Sequence, residues 1–205
     1  MKHGAPQGDL STWNVGVLAV GLYEDNWAAD GVFESLDGKF DGKLRAVLEA
    51  EDFKAKVGSS KTIHTLQSTG PERLFFFGLG KRADGQLAGM RDFVHAAVSA
   101  AGGAKCAHLG ISIPGNHGVP SDILATQAMM AAELGRYKFD KYQEDAKPST
   151  VEEISWSGLE SGAMEMVHDA QALATGVART RDLVNEPPGI CTPDLILEHA
   201  KEIAN

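Results

Sequence analysis

Cysteine is almost missing from this chain. Cys106 and Cys191 are the two it has, far apart and forming no metal-type pair. A disulfide-framed fold and a cysteine zinc knuckle are therefore excluded, and two isolated thiols read as buried residues of a reducing compartment. Long apolar runs are missing as well. No stretch approaches the roughly 20 residues that cross a bilayer, and the opening "MKHGAPQGDLSTW" lacks the hydrophobic segment of a secretory signal. These two gaps make the cytoplasm the expected location. Basic residues are outnumbered, 19 Lys and Arg against 28 Asp and Glu, for a formal net charge of -9. That balance argues against nucleic acid as a partner, because a phosphate-binding surface needs clustered cations. No internal repeat and no low-complexity tract occurs.

The rest is an ordinary globular composition, 43% hydrophobic over 205 residues, enough for one substantial core. "WNVGVLAV" (13–20), "KTIHTLQ" (61–67), "ERLFFFGLG" (72–80) and "AHLGISIP" (107–114) read as strands, being short, apolar and bounded by turn residues. "VEEISWS" (151–157) reads as an edge strand or a loop. Helical spacing marks "KLRAVLEAEDF", with Leu44, Val47 and Leu48 on one face. It also marks "GQLAGMRDFVHAAVSAAGG", with Leu87, Met90, Val94, Ala97 and Ala101 on one stripe, stopped by Gly102 and Gly103. A third helix is expected in "PSDILATQAMMAAELGRYKF", with Ser121 as N-cap. Alternation of strands and helices implies an α/β layered sandwich on a mixed, largely parallel sheet.

After about Gly162 the character changes. "AMEMVHDAQALATGVARTRDLVN" keeps apolar residues at Val167, Ala170, Ala174, Val177 and Val184, a helix of roughly 33 Å. "NEPPG" ends it, since a residue before proline is pushed out of the helical region. Thr192 and Pro193 then restart a helix, with Leu195, His199 and Ile203 on one side. Such a stop and restart is a joint between two bodies of structure.

Catalytic groups are hard to find. Gly78, Gly80 and Ala83 match a loose Gly-x-Gly-x-x-Ala fingerprint, but the next helix begins too late and the following strand ends without an acidic residue for a ribose. A glycine-eased turn accounts for them better. His3, His64, His95, His108, His117, His168 and His199 include no pair at metal spacing on one helix. His117, in the Gly-rich loop "PGNHGVP", is the best placed of them for a ligand, though a plain turn accounts for it better. Carboxylates such as Glu49, Glu51, Asp52, Glu152 and Glu153 are scattered on polar faces and in loops. No catalytic, cofactor-binding or metal residue is therefore expected in this chain.

Three stretches, "ERLFFFGLGKRADGQLAGMRDFVHAAVSAAG", "ELGRYKFDKYQ" and "ATGVARTRDLVNEPPGICTPDLILEHAKEIA", resemble the leucyl (cytosol) aminopeptidase family, in the family's order and spacing. Arg181, Asp182, Leu183, Asn185, Pro187, Thr192 and Pro193 match its interdomain joint. Gly189 replaces a frequent Asn, and Gln143 a common basic residue. The resemblance implies a macro-domain-like N-terminal domain over 1–161, a connecting helix and joint over 162–188, and the start of a catalytic domain over 189–205. It further implies a hexameric two-metal exopeptidase that releases N-terminal residues such as leucine, with zinc, manganese or magnesium in the second domain. The family's metal signature, Asn-Thr-Asp-Ala-Glu-Gly-Arg-Leu, occurs nowhere in this sequence, so the 205 residues alone are expected to be inactive. The alternative is a free-standing macro-like module that binds a nucleotide or ADP-ribose.

Overall fold

Both faces of the central strand are buried, and that fact organises the rest. The computed structural model describes residues 1–66, 70–83, 86–115, 118–160 and 162–204. Strand β2 (Val17–Leu22) sends Val17 and Ala19 to one face and Leu18, Val20 and Leu22 to the other, all six residues being buried. A near-continuous apolar run of this kind is what a strand needs when helices cover both of its sides. Strand β4 (Arg73–Gly78) repeats the pattern, with Phe75 and Phe77 on the first face and Leu74 and Phe76 on the second. With β1 (Lys2–Gly4), β3 (Ser60–His64), β5 (His108–Ser112) and β6 (Glu153–Ser157), they form a six-stranded sheet in the order β1-β6-β5-β2-β4-β3. Every pairing is parallel except β3 with β4.

Helices α1 (Gly31–Lys39) and α2 (Lys43–Ala50) cover one face, burying Phe33, Leu36, Leu44 and Leu48 against Leu18, Leu74 and Phe76. Asp30 caps α1 by accepting from the Val32 and Phe33 amides at 3.0 and 3.2 Å. Helices α3 (Gln86–Gly103) and α4 (Ser121–Gly135) cover the other face, and α4 also packs against α5 (Val167–Asn185). Met90, Val94, Ala97 and Ala101 of α3 are buried as its spacing requires. Helix α6 (Pro193–Ala204) buries no residue.

Several sequence-based expectations need correction. Strand β6 is interior, because residues 2–4 pair with it in parallel and take the edge. Strand β2 begins at Val17, and Trp13 and Val15 precede it as buried loop residues. Val47 is 40% exposed, so only Leu44 and Leu48 of α2 face the core. Ser121 is the first helical residue and Pro120 the cap, with no side-chain cap bond. The long helix is shorter than its pattern suggests: residues 163–166 form a 3-10 turn, leaving 19 α-helical residues, about 28 Å. Ala170 and Ala174 are buried on it while Val184 is 78% exposed, so the helix lies on α4 with its first half and stands off with its second. Cys106 is buried as expected; Cys191 is only partly so.

Candidate functional site

Open α/β sheets bind ligands where the strand order reverses, beyond the carboxyl ends of the strands. Here that place lies at the ends of β2, β4 and β5, and at β4 the 55–59 segment closes onto the strand end. Gly78 donates to the Ser59 carbonyl at 2.8 Å and accepts from the Gly58 amide, and the Gly80 amide donates to the Ala55 carbonyl at 3.0 Å. A Cβ on Gly78 would overlap the Lys56 carbonyl oxygen, and one on Gly80, whose φ is +73°, would overlap Val57. These glycines let the 55–59 segment close onto the strand end. Ala83 is exposed, ahead of α3. Arg82 spans the crevice. Its guanidinium lies 4.5 Å from the Tyr23 ring centroid, its Nη1 donates to the Gly115 carbonyl at 3.2 Å, and its amide donates to Asp25 at 2.8 Å. Burial pushes the Tyr23 phenol up, with Arg82 opposing. His117 lies outside the described residues.

The remaining histidines are dispersed. His64, His95 and His168 are exposed, and the His108 ring meets the Ser155 hydroxyl at 2.8 Å. Among the described residues, no three His, Cys, Asp or Glu side chains stand where they could hold one metal ion. The residues present thus do not fit a two-metal centre, which needs several carboxylates converging on metals about 3.5–4 Å apart. Glu49, Glu51, Asp52, Glu152 and Glu153 are all exposed, and Glu51 and Asp52 are taken up by Lys61 and Lys54.

Two polar networks flank α5 instead. At its start, Glu133 of α4 faces a cleft of about 350 Å³ with Met1, Tyr137 and Gln171. The His3 side chain, fully buried, stacks on Trp156 and accepts from the indole Nε1 at 3.0 Å through Nδ1. With Nδ1 accepting, the proton sits on Nε2, which donates to Glu133 Oε1 at 3.2 Å. Gln171 donates to the same oxygen at 2.9 Å, and the Met1 ammonium lies 3.5 Å away. Burial alone would raise the Glu133 carboxyl, but these donors and the ammonium overcome it and hold it at about 2.

At the other end of α5, the loop after α4 meets the last turn. The Tyr137 hydroxyl donates to Asp182 at 2.8 Å, and Arg181 lies over the Tyr137 ring at 5.5 Å. Lys141 donates to Glu186 at 2.6 Å, and the Tyr142 hydroxyl bonds the other Glu186 oxygen. Beside them is a cleft of about 280 Å³ reaching to His199. "ELGRYKFDKYQ" and "TRDLVNEPPG", read separately in the sequence, are thus two sides of one contact.

A sequence profile described as the cytosol aminopeptidase family, N-terminal domain, matches residues 19–146. The chain belongs to the cytosol aminopeptidase family. It is 30% identical to the chloroplastic neutral leucine aminopeptidase of Solanum lycopersicum, covering 100% of this chain and 38% of that protein. Identity is 33% to the probable cytosol aminopeptidase of Parasynechococcus marenigrum, over 95% of this chain and 39% of the relative. The chain therefore spans about two-fifths of the length of these relatives. A mutant tomato leucine aminopeptidase superposes with a TM-score of 0.89 at 25% identity, over 100% of this chain and 42% of the other. The bottromycin maturation enzyme BotP, solved in complex with Mn, shares the fold at a TM-score of 0.68 and 24% identity, over 92% of this chain and 36% of its own. The α/β sandwich is that of the N-terminal region of leucine aminopeptidases.

The residues that sequence reasoning passed over are His3, Glu133 and Gln171. They are distant in sequence, and no local spacing links them.

Proposed function

We propose that this chain is the non-catalytic N-terminal part of a leucyl aminopeptidase, a two-metal exopeptidase that releases N-terminal residues such as leucine from peptides. The observation that carries the reading is the superposition on tomato leucine aminopeptidase over 100% of the chain, joint and last helix included. Residues 1–161 form the sandwich, 162–188 the connecting helix and joint, and 189–205 the first piece of the catalytic domain. Two divalent ions, zinc or manganese or magnesium, belong to that second domain, where they activate a water and polarise the scissile carbonyl. BotP, a neighbour in fold, carries Mn in its solved complex. In the cytoplasmic hexamer the role of these 205 residues is assembly and positioning. Among the described residues no carboxylates converge, and on this reading the chain alone turns nothing over. Incubation with leucine-p-nitroanilide and each metal in turn tests this. No release is expected, and metal-dependent release abolished by mutating one of the chain's own carboxylates would overturn it.

A further inference from the structure

The connection between α5 and the last helix runs from Glu186 to Thr192, and Glu186 opens it. Glu186 has φ -65° and ψ 140°, extended backbone directly after the last helical residue. Pro187 comes next, fixes its own φ near -65° and holds Glu186 in extended backbone, so the chain leaves α5 in the direction Glu186 takes. The Glu186 side chain is 6% exposed, with Lys141 on one oxygen and the Tyr142 hydroxyl on the other. One turn earlier, Tyr137 holds Asp182 at 2.8 Å and receives the Asn185 amide at 3.5 Å. The holding loop is itself braced. The Tyr142 ring packs edge-on to Phe139 with centroids 5.9 Å apart, and Lys141 lies 5.6 Å from the Tyr142 centroid. An isolated surface ion pair would contribute little. Here two donors converge on one covered carboxylate at the first residue of the joint.

We propose that the segment from Tyr137 to Tyr142 is a clamp that fixes the exit direction of the chain at Glu186, making Tyr137, Lys141 and Tyr142 positioning residues for the structure beyond Pro188. The clamp deepens the preceding reading, resting on it only in taking 186–188 for the joint to a second domain. It acts through Asp182 and Glu186, touches no substrate, and couples the surface loop between α4 and β6 to a helix some 45 positions along the chain.

Amide hydrogen exchange on the 205-residue chain tests the clamp without any peptidase activity, so the two readings fail separately. The amides to follow are those of Glu186, Ile190 and Cys191, bonded to the Asp182 and Pro187 carbonyls. Lys141→Glu sets two carboxylates against each other and is expected to speed their exchange about two- to fivefold, the scale of an exposed charge pair. Amides of α3 should not change. The charge-exchanged double variant, Lys141→Glu with Glu186→Lys, should restore the slow rate, which a loss of loop packing would not. Lys147→Ala, in the same loop but outside the contact, should do nothing. Should Lys141→Glu loosen α3 as well, Tyr142→Phe, which deletes one hydroxyl, gives the reading, with faster exchange again expected at these amides alone. Unchanged exchange at Glu186, Ile190 and Cys191 in both single variants, or no restoration by the double variant, overturns the clamp.

Discussion

Glycine and carboxylate positions show how differently single residues can be read. Gly78 and Gly80 looked like half of a nucleotide fingerprint, and the space they leave is occupied by the backbone of Ala55 and Lys56 at Gly78 and by the Val57 side chain at Gly80. The signal was real as a statement about close approach and silent about the approaching group. Gly78→Ala should therefore cost about 1–3 kcal/mol, the scale of overpacking against backbone that cannot step aside; a chemical-denaturation midpoint equal to that of the unchanged protein would refute this. Glu133 carries the clearest pH signature. Its carboxyl is held at about 2 when folded against an ordinary value of 4.5. A depressed folded value stabilises the fold above about pH 4.5, and the contribution is lost as pH falls toward about 2. Allowing for screening, it amounts to about 1–3 kcal/mol at neutral pH. Glu133→Gln should lose that amount at pH 7 and little near pH 2, so the two unfolding curves converge in acid; curves that stay equally far apart from pH 7 to pH 2 would contradict it.

Elements were legible where the pattern was long and illegible where context decided. The α3 stripe and the alternation of β2 and β4 carry their own periodicity, so their faces followed from the residues alone. Helix α1 did not, because Gly31 and Gly38 dilute a nine-residue helix; its usable signal was the Asp30 cap before Phe33 and Leu36, each of which contributes roughly 1.5–3 kcal/mol on burial. Strand β1 has three residues and no periodicity at all, and it exists because β6 offers it an edge. Helix α6 is the reverse case: its caps and period are clear, Thr192 included, yet none of its residues is buried. A 12-residue helix without a buried face is marginal in water. Its amides should exchange orders of magnitude faster than those of α3, and protection equal to α3 in a monomeric sample would count against this picture.

At the scale of the molecule, the sequence disclosed the sandwich, the exit helix and its stop before the last helix, because strand and helix periods and the Pro-Pro stop are local signals. It did not disclose that the loop after α4 grips the joint, since Lys141 and Glu186 approach only once α5 lies along α4. The most direct test joins this chain in one polypeptide to the part of the Parasynechococcus marenigrum relative that it does not match, and compares turnover of leucine-p-nitroanilide with that of the 205 residues alone, both with manganese or zinc. The account predicts metal-dependent release by the joined protein and none by the shorter chain. Turnover by the shorter chain, equal to that of the joined protein and lost when one of its own residues is changed, would contradict it.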